Sequence, residues 1–66
     1  MPIVYVHLLG GRTPEEVQEL TTSLTDAVVR TTGSAPERVH VLVSEYEVGQ
    51  WVQGGVPITR AQGELL

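Results

Sequence analysis

Apolar positions run almost without a break from Ile3 to Leu9, Ile-Val-Tyr-Val-His-Leu-Leu, with β-branched and aromatic residues prominent. Such a run predicts a strand covered on both faces rather than one with a solvated side. Gly10 and Gly11 end it in a turn. The period then changes. Val17, Leu20, Leu24, Ala27, Val28 and Thr31 recur at helical spacing, with Gln18, Glu19, Thr22, Thr25 and Asp26 mostly on the other side. One amphipathic helix follows from that pattern. Its start is marked by Thr13-Pro14-Glu15-Glu16: Thr13 can cap, Pro14 fits the first helical position, and Glu16 completes a capping box. Two acids in the first turn also suit the helix dipole. The helix is expected to end near Thr32, with Gly33 as its C-terminal cap. Glu15, Glu16, Glu19 and Asp26 then form a solvated face.

Ala35-Pro36-Glu37-Arg38 reads as a short turn, and Val39 to Ser44 as a second strand. Alternation puts Val39, Val41 and Val43 on one face of it and Arg38, His40 and Leu42 on the other. The pattern fails from Glu45 onward. Glu47 to Gly55, with three glycines around Trp51 and Val52, reads as a loop or small hairpin. The tail from Val56 to Leu66 has no clear period; Leu65 and Leu66 either pack on a neighbouring subunit or fray.

Strand, helix, strand and hairpin make an α/β chain, and the crossover predicts parallel strands. At 66 residues the expectation is a single domain over residues 1–66. Such a chain is too short to cover its own apolar surface, yet 41% of its residues are hydrophobic. There is no Cys, which removes disulfides, thiolate metal sites and cysteine nucleophiles. Only His7 and His40 offer imidazoles, without zinc-site spacing, so no metal is expected. Association is the remaining way to complete a core. Two copies could join into a four-stranded sheet with helices on one face. The other face would still need cover, so an assembly larger than a dimer is expected.

Charge narrows the partners. The formal net charge is -4, with no Lys and only Arg12, Arg30, Arg38 and Arg60 as cations. Nucleic-acid binding needs a basic footprint, and a polybasic membrane contact needs clustered cations; neither is expected. The first residues lack a basic segment followed by a long apolar stretch, so neither a signal peptide nor a membrane span is expected, and the default is a soluble cytoplasmic protein.

Several familiar sites are missing from the sequence: a Walker-type phosphate loop, a dinucleotide glycine fingerprint and a nucleophile elbow. Glu45 and Glu47 read as the solvated end of a strand rather than a catalytic acid pair. The unusual feature is Met1-Pro2. Trimming of Met1 would leave Pro2 with a free secondary amine. A chain-terminal amine has a reference pKa of about 8, which desolvation or a nearby cation such as Arg12 lowers. It would then be a base near ambient pH, where general acid–base catalysis works best.

Pro2-Ile3-Val4, then His7-Leu8-Leu9-Gly10-Gly11-Arg12-Thr13, a helix, Val39-His40-Val41-Leu42-Val43-Ser44-Glu45 and Gly49-Gln50-Trp51-Val52-Gln53-Gly54-Gly55 together resemble the 4-oxalocrotonate tautomerase family. The resemblance runs through nearly all of the chain up to Gly55. It implies a β-α-β subunit with parallel strands and a small C-terminal hairpin, its sheet completed by oligomerisation into a homo-hexamer, usually a trimer of dimers. It also implies an isomerase that works without cofactor or metal on a small enol or keto acid. Pro2 matches the family's proline base and Arg12 its carboxylate-binding arginine, whose planar fork suits bidentate binding. Trp51 matches an aromatic wall that excludes water.

One position departs from the family pattern. A second arginine, supplied by a neighbouring subunit, commonly polarises the substrate carbonyl, and His40 stands at the matching place. Arg38, two residues earlier on the same strand face and roughly 7 Å away, either takes over that task or leaves it to His40 as a weaker donor. Without either, the lost stabilisation is typically about 3 kcal/mol, which puts the usual dicarboxylate substrate in doubt. His7 matches a family histidine and reads as structural. Gln53 stands near a position where related hydratases and dehalogenases carry a water-activating carboxylate; its neutral amide cannot accept a proton. Two other readings remain open. One is a relative with different chemistry, a decarboxylase, hydratase or carbon–carbon bond former. The other is a non-catalytic oligomeric subunit, should Met1 be retained.

Overall fold

The computed structural model describes residues 1–59. Strand β1, Ile3–Leu9, lies parallel to β2, His40–Tyr46, in a register that runs from Ile3 opposite His40 to Leu9 opposite Tyr46. Helix α1, Pro14–Thr32, connects them, followed by a 3₁₀ turn at Pro36–Arg38. After β2 come a second 3₁₀ turn, Val48–Gln50, and a hairpin of β3, Val52–Gln53, and β4, Val56–Pro57. This is the β-α-β subunit with parallel strands and a small hairpin that the sequence implies.

Both ends of α1 are built by side chains in the expected places. The Thr13 amide donates to Glu16 Oε1 at 2.8 Å, and the Glu16 amide donates to Thr13 Oγ1 at 3.1 Å. These two bonds satisfy amides that have no partner inside the helix. At the other end Gly33 takes a left-handed conformation, φ 74°, and donates to the Val29 carbonyl at 3.0 Å. Thr31, expected on the apolar stripe, is exposed instead. Its hydroxyl donates to the Ala27 carbonyl at 2.7 Å, which a threonine in a last turn does readily. In the hairpin, Gly54 and Gly55 both have positive φ, 58° and 81°, as a two-residue turn matched to strand twist requires.

Alternation along the parallel pair divides it into two faces. Val4, Val6, Leu8, Val41 and Val43 are half-buried on one. Ile3, Tyr5 and Leu42 on the other are 58%, 62% and 40% exposed. The expectation of a β1 covered on both faces is therefore not met within one protomer: its single helix can shield only one side of a sheet. Among the described residues only Leu9 and Ile58 are buried hydrophobics, and α1 has no fully buried residue. The radius of gyration, 14.2 Å, exceeds the roughly 11 Å of a compact chain of this length. The protomer is a flat layer with an uncovered apolar side.

Two boundaries differ from the sequence reading. The second strand starts at His40 and runs on to Tyr46, because Tyr46 still pairs with Leu9 and its carbonyl accepts from the Gly10 amide at 2.9 Å. Arg38 does not lie on the strand. It closes the 3₁₀ turn, its amide donating to the Ala35 carbonyl at 2.9 Å, since Pro36 sets the backbone angle that starts such a turn. Leu65 and Leu66 lie outside the described residues.

Candidate active site

The residues singled out by sequence fall into two groups at opposite ends of the parallel pair. Pro2 and His40 form the first. The His40 amide donates to the Pro2 carbonyl at 3.0 Å, so Pro2 is the last backbone-anchored residue before the open end of β1. It is half-buried, whereas His40 is exposed. Arg38, also exposed, is in the turn that leads into this end. Its removal from the strand means that it and His40 do not share a pleated face, contrary to expectation.

Arg12 and Trp51 belong to the other end. Arg12 follows Gly10 and Gly11 just beyond the last residue of β1 and is exposed next to the first turn of α1. Its charge helps hold the Glu16 carboxyl below the ordinary range, after the larger effects of the Thr13 amide and hydroxyl. Trp51 follows the Val48–Gln50 turn. Its carbonyl accepts from the Ile58 amide at 2.9 Å, which ties the loop to the strand that leaves the hairpin. At about 3.3 Å per residue, the seven residues of β1 put on the order of 20 Å between Pro2 and Arg12. That is several times the reach of an arginine to a substrate held by the same chain's proline.

A row of rings on the uncovered sheet face leads to Trp51. Tyr5 and His7 stack with centroids 5.8 Å apart, and His7 and Tyr46 with centroids 5.7 Å apart. His7 Nδ1 and the Tyr46 hydroxyl are 2.7 Å apart in a hydrogen bond. Tyr46 then meets Trp51 edge-on, 6.0 Å between centroids and 86° between planes. His7, Tyr46, Gln50, Trp51 and Val52 line an open concavity of about 270 Å³. A second groove of about 290 Å³ lies between the threonine-rich side of α1 and Val41, with Asp26 as its ionisable group and none of the predicted residues. His7, read as structural, thus has a side-chain partner. Tyr46 escaped notice in the sequence because the strand was expected to stop before it. The signal available was its spacing, five residues before the tryptophan.

Glu45 and Glu47 do not pair. Glu45 is exposed on β2, while Glu47 caps the second 3₁₀ turn, its amide donating to Gln50 Oε1 at 3.0 Å. Among the described residues no helix is long and apolar enough to cross a membrane.

Comparison with known proteins bears on this arrangement. A family profile described as "Tautomerase enzyme" matches residues 2–61. A probable tautomerase of Lactiplantibacillus plantarum is 41% identical over 56 residues, which cover 85% of this chain and 88% of the relative. The crystal structure of TomN, described as a 4-oxalocrotonate tautomerase homologue in the tomaymycin biosynthetic pathway, superposes with a TM-score of 0.84. It is 38% identical, and the match covers 92% of this chain and 94% of that one. A heterohexamer 4-oxalocrotonate tautomerase from Chloroflexus aurantiacus shares the fold, with a TM-score of 0.80 over 86% of this chain and 92% of its own, at 24% identity.

Proposed function

The chain belongs to the tautomerase enzyme family, and on that premise we propose that it is a cofactor-independent isomerase of a small enol or keto acid, with the Pro2 amine as proton carrier. With Met1 attached, the Pro2 nitrogen is a peptide nitrogen that carries no proton and has no basicity. With Met1 removed it is a secondary amine. Such an amine takes the proton of an enol hydroxyl as the carbonyl forms. The electron pair moves along the conjugated system, and the proline ammonium returns the proton to carbon at its far end. One O–H bond is lost and one C–H bond gained, without a change in oxidation state. Arg12 binds the carboxylate. His40 or Arg38 donates to the developing oxyanion, and Trp51 keeps water out, which favours the neutral amine.

The observation that carries this reading is the hydrogen bond from the His40 amide to the Pro2 carbonyl, 3.0 Å long. It holds the reactive nitrogen on a strand end, where a base can be kept in one place. The distance between Pro2 and Arg12 within the chain adds a requirement: the two must come from different protomers. The uncovered sheet face, with Ile3, Tyr5 and Leu42 exposed, supports a homo-oligomer, assigned here as a trimer of dimers. A soluble cytoplasmic enzyme fits this reading.

Intact mass of the purified protein, followed by ketonisation assays of Pro2→Ala with a simple 2-hydroxydienoate or phenylenolpyruvate, tests it. We expect a mass lacking Met1. Turnover of the variant should fall by at least about 10²-fold, the usual worth of a positioned general base, while the oligomer remains intact. An active protein that retains Met1, or a variant with undiminished turnover, overturns the proposal.

A further inference from the structure

We infer that Tyr46 is a positioning residue for Trp51, held in place by His7, and that this pair fixes the wall that Trp51 offers to the substrate. The inference rests on the assignment of Trp51 to the active site made above.

The Tyr46 backbone has little freedom. It is the last residue of β2, opposite the buried Leu9, and its carbonyl accepts from the Gly10 amide at 2.9 Å. His7 lies opposite Ser44, so Tyr46 is its diagonal neighbour on the same face of the sheet, a separation that aromatic side chains bridge. The two meet twice over, through stacked rings at 25° and through the 2.7 Å bond between Nδ1 and Oη. In the tautomer that carries its hydrogen on Nε2, Nδ1 accepts and the phenol is the donor. His7 is in turn stacked on Tyr5 at 13°, so its plane is set by the adjacent residue of its own strand face.

The Trp51 backbone is held at its carbonyl, which accepts from the Ile58 amide at 2.9 Å, but bonds of that kind leave the side-chain torsions of the indole free. It sits between a 3₁₀ turn and a two-residue strand, and its amide reaches the Val48 carbonyl at 3.4 Å, near the long limit for such a bond. The edge-on contact with Tyr46 is the ring contact through which the indole takes its orientation. If packing alone were required, a phenyl ring would serve at position 46. The hydroxyl adds a directional restraint: the ring that supports Trp51 cannot swing about χ1 without breaking the bond to His7.

Trp51 is the single tryptophan of the chain, so its intrinsic fluorescence reads its environment without dissection. The experiment compares Tyr46→Phe, His7→Leu and His7→Gln with the unaltered protein, by acrylamide quenching and by ketonisation kinetics on the same enol acid. Tyr46→Phe keeps the ring and loses the tether. Quenching is expected to increase, and KM to rise about fivefold, the equivalent of one neutral hydrogen bond, with kcat changed much less. That split is expected because a wall contacts ground state and transition state alike. His7→Gln, which retains a hydrogen-bonding group, should restore much of what His7→Leu loses. Unaltered quenching and KM in Tyr46→Phe overturn the inference. So does a fall in kcat alone, which would mean that Tyr46 acts on the transition state rather than through the wall. In either case loss of turnover in Pro2→Ala leaves the proposed function standing, whereas undiminished turnover in Pro2→Ala removes the reading beneath it.

Discussion

His40 and Pro2 are joined through their backbones, the amide of one donating to the carbonyl of the other at 3.0 Å. The bond makes position 40 the nearest neighbour of the proposed base along the sheet. On the proposed reading, a histidine there, where the family resemblance implies an arginine, brings an imidazole donor to the place where charge develops.

The two candidates for that donor are separable. Arg38 belongs to the 3₁₀ turn and His40 to the strand, so they approach the end of the sheet from different directions. His40→Ala and Arg38→Ala should differ in kcat. The variant that removes the oxyanion donor should lose about 10²- to 10³-fold, as loss of one such donor costs elsewhere, and the other should stay close to the parent. Steady-state kinetics on a common substrate measures this. Equal and small losses would mean that neither residue polarises the carbonyl.

The distance along β1 makes a different prediction. If Pro2 of one protomer works with Arg12 of another, Pro2→Ala and Arg12→Ala homo-oligomers are each inactive, and mixing them through a denaturation and refolding cycle regenerates some intact sites. Activity should reappear in the mixture and remain absent from each variant refolded alone. A mixture as inactive as its components would mean that both residues act from one chain.

The uncovered face should carry the assembly. Ile3, Tyr5 and Leu42 are exposed in the protomer, and a charge placed among them has to be desolvated when copies meet. Leu42→Glu is expected to shift sedimentation toward smaller species and to lower Tm in a concentration-dependent way. A variant that sediments like the parent would place the interface elsewhere.

The start of α1 gives a pH signature. The carboxyl of Glu16 is held below its ordinary value of 4.5, chiefly by the Thr13 amide, with the Thr13 hydroxyl and Arg12 acting in the same direction. A lowered folded-state value means that the stabilisation is present above the unfolded value and is lost as pH falls through the folded one. Glu16→Ala should therefore melt below the parent at neutral pH, and the gap should close in acid. Thr13→Ala, which removes the cap itself, should cost about 1 kcal/mol at neutral pH. Thermal melts at fixed protein concentration measure both. A gap between Glu16→Ala and the parent that persists in acid would remove the carboxylate from the account.

Local chemistry in the sequence foretold the local structure closely. Thr13, Pro14, Glu16 and Gly33 mark the helix ends, and Gly54-Gly55 the hairpin, because each acts through bonds and torsions within a few residues of itself. What a single chain could not reveal was non-local. The near-continuous apolarity of Ile3 to Leu9 reports the environment of an assembled strand, so it overstates cover in the protomer. Arg38 was misplaced because alternation was extended backwards through a turn that Pro36 had already started. Tyr46 was passed over because its partner, His7, lies 39 residues away and is brought to it only by the parallel register.

On the proposed reading the two ends of β1 carry complementary chemistry, with the base at one and the anion anchor at the other. A lone protomer would hold two half-sites and no whole one. Specific activity in such a protein should depend on dilution, vanishing as copies part and returning as they meet, so that abundance in the cell would itself set whether the catalyst exists.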